Sequence, residues 1–121
     1  MNSMFALNFY HELYEEQLKS GRKSATIRLG DKSDKYSSGQ IVWITTGARY
    51  ARRKKLFCAI LDKVEVKPLD QLSPRDIQRE NAEFRTIEDV SKLLQQIYGE
   101  QISPEQTVTI IYFSQVDEYE L

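Results

Sequence analysis

The chain has 121 residues, 40% hydrophobic and 29% charged, with a formal net charge of −1, which predicts a single domain (1–121) built around one core. No apolar run reaches the roughly 18 residues of a membrane span, the stretch from Met1 to Phe5 lacks the basic and apolar regions of a signal peptide, and one cysteine excludes an internal disulfide. A cytoplasmic protein with no membrane partner is expected.

One histidine, His11, and one cysteine, Cys58, cannot build a zinc site or a Cys-His or Ser-His-Asp centre. No metal or cofactor is expected, and no G-x-G-x-x-G or phosphate-loop pattern is present. Any chemistry must come from Lys, Thr, Ser, Tyr, Glu, Asp or Arg.

In chain order, Phe5, Leu7 and Phe9 alternate and predict a strand over 4–9. Leu13, Tyr14 and Leu18 share a face, predicting a helix over 11–19 with Gly21 as its left-handed stop. Ala25, Ile27 and Leu29 alternate again, predicting a strand at 24–29, and the Gly, Ser and Asp content of 30–39 reads as a loop. The run Ile41-Val42-Trp43-Ile44 predicts a strand over 40–46 buried on both faces, with Trp43 in the core. Residues 47–54 read as a basic hairpin loop, and 55–66 as a long strand bent near Asp62, with Cys58 buried in it.

Ser73-Pro74-Arg75-Asp76 carries a cap, a first-turn proline and an acid, starting a short helix that runs to about Asn81. Thr86 caps a second helix with the apolar stripe Val90, Leu93, Leu94 and Ile97, stopped by Gly99. A β-rich run covers 107–116, and the acidic tail 117–121 is expected to fray. The order β-α-β-β-β-α-α-β is not a doubly wound pattern; it predicts an α+β fold, a small mixed β-barrel of five or six strands decorated by two or three helices.

Charge is unevenly placed. Residues 19–55 hold eleven of the 17 basic residues and two of the 18 acidic ones. One basic face and an anionic partner, phosphate foremost, are expected. Arg49, Tyr50, Arg52, Arg53, Lys54 and Lys55 combine cations with an aromatic ring and suit RNA contact by phosphate pairing and base stacking; a solvated hairpin tip fits the same residues.

The stretch from Gly21 to Arg28 places a lysine, a threonine and an arginine at an element boundary. Thr26 and Arg28 share a face of the strand; Lys23 joins them only from a turn or bulge. A threonine hydroxyl needs a base to become a nucleophile, and lysine serves if burial or a neighbouring cation lowers its pKa. Arg22 and Arg28 are such cations. The missing carboxylate must come from elsewhere, and Glu80, in the sequence Gln78-Arg79-Glu80-Asn81, is a candidate. A basic turn leading into an ordinary strand, with Glu80 on the surface, is the plainer alternative.

These residues resemble the ASCH family, a branch of the PUA-like β-barrels associated with RNA. Its signature is a glycine, a lysine two positions on and an arginine five further, here Gly21, Lys23 and Arg28, and the resemblance runs from about Phe5 to Phe113. It is closest to small bacterial members that remove the acetyl group of N(4)-acetylcytidine and carry a Gly-Arg-Lys-x-x-Thr-Ile-Arg stretch, intact here. The resemblance implies Lys23 and Thr26 as catalytic base and nucleophile. The matching Glu80-Asn81 pair, followed by Thr86 and Ile97-Tyr98, implies Glu80 as catalytic carboxylate, with Arg22, Arg28 and Asn81 as substrate or anion binders. The 47–55 loop is longer and more basic than those hydrolases need. An amidohydrolase acting on a modified nucleoside, an RNA-binding module and an RNA-cleaving protein therefore all remain open.

Overall fold

The computed structural model describes residues 5–10, 14–48 and 51–117. Its elements are β1 (Ala6–Phe9), α1 (Tyr14–Lys19), β2 (Ala25–Leu29), β3 (Ile41–Thr46), β4 (Lys54–Pro68), a 3-10 turn (Leu69–Gln71), α2 (Pro74–Glu80), α3 (Ile87–Tyr98) and β5 (Thr107–Val116). The five strands form one curled half-barrel sheet in the order β1-β3-β4-β5-β2. The pair β1–β3 is parallel and the other pairs are antiparallel. The expected α+β fold is present, with one difference: among the described residues no backbone ladder joins β1 to β2, so the barrel is open along a seam between them.

Two apolar clusters flank the sheet, and β5 explains why. Side chains alternate along a strand. Ile111 and Phe113 enter the cluster inside the curl, with Leu7, Phe9, Val42, Ile44 and Leu61. Val108 and Ile110 face outward onto α2 and α3, with Ile77, Val90 and Leu94. Cys58 is fully buried, as expected of a small hydrophobe in an apolar run.

The local signals act where the sequence placed them. Ser73 and Thr86 each cap a helix through a reciprocal capping box with Asp76 and Asp89. Gly21 (φ +78°) turns the chain out of α1 in the left-handed region. The ladder between β4 and β5 shifts register between Leu61 and Lys63, at the bend expected near Asp62.

Three expectations are corrected. Trp43 is not core: β3 alternates, with Val42 and Ile44 buried, Trp43 half-buried and the Lys55 ammonium 4.6 Å from its ring. Ile97 does not join the buried stripe of α3; it is 38% exposed beside Tyr98 at 39%. Lys54, read as the last residue of the loop, is the first of strand β4. His11, Arg49, Tyr50 and all of the acidic tail beyond Asp117 lie outside the described residues.

Candidate active site at the barrel seam

The edge strand β2 has backbone N–H groups that no neighbouring strand takes, and such edges need other partners. Two side chains from the helices supply them. Glu80 Oε2, at the end of α2, accepts from Ile27 N at 2.7 Å, and the Tyr98 hydroxyl, at the end of α3, accepts from Leu29 N at 3.2 Å. The spacing of two residues matches the strand repeat, so both N–H groups face the same side. Just before the strand, Ser24 N donates to Arg79 O at 3.3 Å. Glu80 is thereby fixed against β2, although it lies more than fifty residues away in sequence.

Lys23 occupies the turn after Gly21, where its backbone N donates to Gln17 O at 3.0 Å. Its side chain runs inward and is fully enclosed. The ammonium donates to Glu80 Oε1 at 2.7 Å, to Glu80 O at 2.6 Å and to Ala25 O at 2.9 Å. Those three bonds use all three of its hydrogens. The Tyr14 and Phe9 rings close around it, with centroids 4.6 and 5.4 Å from Nζ. Burial pushes the Lys23 pKa below the ordinary lysine range; Glu80 pulls it back up, and Arg28 adds a further downward push.

Thr26 and Arg28 point from β2 into the mouth of the curl. Arg28 Nε donates to Thr26 Oγ1 at 3.0 Å, and Nη2 reaches across the seam to Asn8 O on β1 at 2.9 Å. Arg28 also lies over the Phe9 ring, 5.0 Å from its centroid. Asn8 is itself anchored: its side chain donates to Gly47 O at 3.1 Å and accepts from Thr45 Oγ1 at 2.8 Å. Thr26, Arg28 and Glu80 line a cleft with Asn8, Phe9, Tyr10, Tyr14, Ile27, Ile97 and Tyr98. It holds about 420 Å³, most of it in the open mouth. Its walls are aromatic and apolar and its polar groups few, as in sites that take a flat, partly polar molecule.

Lys23, Thr26 and Glu80 thus converge, but not through the direct lysine–threonine hydrogen bond that a simple base–nucleophile pair would make. Thr26 is bonded to Arg28, and Lys23 is bonded to Glu80 behind the cleft wall. Asn81, half-buried, receives Glu83 N on its side-chain oxygen and directs its amide toward Tyr14. Arg22 lies exposed on the turn and does not line the cleft. Lys23 is too deeply buried to belong to a cationic surface, so the basic loop cannot extend one around it. Arg52 and Arg53 are exposed, and Lys54 pairs with Glu15 at 2.7 Å.

Sequence reasoning missed Tyr14 and Tyr98. Tyr14 faces the cleft beside Glu80; burial first, then the Glu80 charge, pushes its hydroxyl up to about 12, against a smaller opposing pull from the Asn81 amide. Its position on the apolar face of α1 read as core. Among the described residues, no group of metal-ligating side chains comes together and no helix is long and apolar enough to cross a membrane.

This architecture is found in solved structures. Protein EF3133 from Enterococcus faecalis V583, whose family model is a domain of unknown function, superposes with a TM-score of 0.72 at 21% identity over 97% of this chain and 78% of its own. An ASCH domain from Lactobacillus crispatus JV V101 superposes with a TM-score of 0.67 at 11% identity, over 93% of this chain and 79% of that one. The hypothetical protein PH0355 gives 0.69 at 20% identity, over 94% of this chain and the whole of that one. No protein-family model and no curated protein sequence matches the chain. At these identities the likeness defines the fold alone: the chain has the fold of an ASCH domain.

Proposed function

We propose that the protein is an amidohydrolase that removes the acetyl group from N(4)-acetylcytidine or a related acylated nucleoside. The observation that carries this is the enclosed Lys23–Glu80 pair packed against a threonine-bearing cleft. A buried ion pair contributes little stability relative to apolar packing, so its placement beside the Thr26 hydroxyl fits a chemical role better than a structural one.

In this reading the acyl group enters over Thr26 with the cytosine ring between the aromatic walls. Thr26 Oγ attacks the acyl carbon while its proton passes to Lys23 through Glu80, the member of the pair that lines the cleft, burial having lowered the lysine's pKa. The negative charge develops on the former carbonyl oxygen, where Arg28 or backbone N–H groups of the cleft hold it. The C–N bond breaks, the cytosine amine leaves with a proton returned by Lys23, and water releases acetate from Thr26. Glu80 orients the lysine. The single buried cysteine suits a reducing cytoplasm.

Incubating the purified protein with N(4)-acetylcytidine should yield cytidine and acetate, and Thr26→Ala should abolish the yield. Intact substrate after long incubation with folded protein would end this reading. An RNA-binding module without chemistry, or one that cleaves RNA, is the second reading; the exposed cations Arg22, Arg52 and Arg53 favour it.

A further inference from the structure

Most polar groups lining the cleft are already engaged within the chain. The Asn8 side chain is held by Gly47 O and Thr45 Oγ1. Arg28 commits Nε to Thr26 and Nη2 to Asn8 O. Both carboxylate oxygens of Glu80 are taken, one by Lys23 Nζ and one by Ile27 N. The Tyr98 hydroxyl accepts from Leu29 N on the exposed rim. Tyr14 differs. It stands half-buried at the start of α1. Its ring is fixed against Phe9, 6.5 Å between centroids at 67°, and beneath Lys23 Nζ at 4.6 Å. Its oxygen takes a hydrogen bond from the Asn81 amide. That amide is itself fixed, because the Asn81 side-chain oxygen accepts from Glu83 N at 3.0 Å. A tyrosine hydroxyl has one hydrogen to give, and with its oxygen accepting from Asn81 that hydrogen is directed elsewhere. Among the described residues it meets no acceptor: Glu80 acts on Tyr14 by charge and gives its oxygens to other donors. The hydrogen is left to the cleft that Tyr14 lines.

We infer that, within the hydrolase reading on which this rests, the Tyr14 hydroxyl donates to the substrate's ring nitrogen next to the scissile amide, and that Asn81 is the positioning residue that aims it. Thr26 and Arg28 meet the acyl end of the substrate. Glu80 returns the proton to the leaving nitrogen, so the ring begins on the Glu80 side of the cleft, where Tyr14 stands. In an acylated cytosine the atom beside the leaving nitrogen is the ring nitrogen N3, an acceptor. As the C–N bond breaks, its electron pair spreads over the exocyclic nitrogen and N3 together. A donor at N3 therefore bonds more strongly to the transition state than to the bound substrate. Tyr14 keeps its hydrogen throughout; the exocyclic nitrogen takes the proton coming back through Glu80. Alkyl amides and anilides have no acceptor at that place and leave the hydroxyl unpaired, which costs binding. The substrate class is thus narrowed to acylated amino-heterocycles with a ring nitrogen adjacent to the amine.

The test is calorimetric titration of the full chain with cytidine and with 3-deazacytidine, in which a C–H replaces N3. The wild type should bind cytidine about three- to tenfold more tightly, the usual worth of one neutral hydrogen bond. Tyr14→Phe removes only the oxygen and should bind the two nucleosides alike. Asn81→Asp should also lose the preference, because its carboxylate accepts the Tyr14 hydrogen instead of leaving it to the ligand. In turnover of N(4)-acetylcytidine, Tyr14→Phe should lower kcat at least about tenfold and change KM less. Thermal melting of each variant establishes that it is folded. A wild type that binds neither nucleoside or does not distinguish them, or a folded Tyr14→Phe that keeps the preference, would overturn the assignment. The two readings also fail separately. A wild type that prefers cytidine but leaves N(4)-acetylcytidine intact would support the ring contact and end the hydrolase reading. Hydrolysis with the same kcat in Tyr14→Phe would overturn the Tyr14 role and leave the hydrolase reading standing.

Discussion

The Lys23 side chain is enclosed, with each of its three hydrogens directed at an oxygen. Removing one member of such a pair strands the other. Lys23→Met should therefore destabilise the fold by about 3–5 kcal/mol in urea unfolding, and Lys23→Met/Glu80→Gln should recover much of that loss. If the lysine is the base, the double variant regains stability and not hydrolysis, which separates structural damage from catalytic loss. Thr26→Ala should lower turnover at least about a hundredfold, while Thr26→Ser, which keeps an oxygen in place, should retain measurable rate. Asp76 makes a different prediction. Burial alone would raise its pKa, but the Lys67 ammonium, the Tyr112 hydroxyl and the Ser73 amide outweigh burial and hold it below the ordinary aspartate range. A carboxyl depressed in the folded state stabilises the fold above its unfolded pKa, ordinarily near 3.8, and that contribution is lost as pH falls through the lower folded value. The melting-temperature gap between wild type and Asp76→Asn should accordingly be full at pH 6 and shrink as pH drops below about 4. A gap that stays constant down to about pH 2 would show that the charge contributes nothing.

At the scale of elements, caps and close approaches make the testable claims. The amide of Gly47 donates to Phe9 O, and its carbonyl accepts from Asn8, so this residue ties the end of β3 to β1. A Cβ there would lie 3.1 Å from Arg52 O and from the Arg53 Cα, both backbone. Gly47→Ala should destabilise the protein by about 1–3 kcal/mol, the usual range for forcing an atom into filled space; an unchanged unfolding midpoint would mean that the turn yields freely. The helices and strands were legible in sequence because their signals are local: alternation in 5–9 and 25–29, and the Ser73 and Thr86 caps. Pairing was not legible. Nothing near Ala6 announces a parallel partner in β3, and nothing near Ala25 places β2 beside β5 rather than β1. The site was half legible for the same reason. The Gly21–Arg28 stretch displays its chemistry, but the burial of Lys23 depends on a carboxylate from α2, and Tyr14 and Tyr98 become cleft residues only once α1 and α3 have packed. Trp43 was misread because an apolar run of four does not show which face of the strand lies outside.

For the whole molecule, the decisive feature is that the sheet curls without closing. An open seam leaves two unpaired strand edges, a liability in any β protein, and here the edges are joined by a side chain. Arg28 binds Thr26 on its own strand through Nε and Asn8 O on the far edge through Nη2. The planar fork of a guanidinium serves both directions at once. A single residue therefore bridges the open seam and positions the candidate nucleophile, and fold and site should fail together when it is changed. Arg28→Ala should cost about 1.5–3 kcal/mol, the range for a hydrogen bond with a charged partner, and should speed amide exchange of β1 and β2 ahead of β3, β4 and β5. Arg28→Lys tests the fork itself. A lysine is a point charge and can reach Asn8 O or Thr26 Oγ1, not both in the present geometry. It should restore part of the edge protection while leaving hydrolysis well below wild type. Protection of β1 and β2 that is unchanged in Arg28→Ala would mean that packing around Phe9 closes the seam, and that Arg28 acts on the site alone.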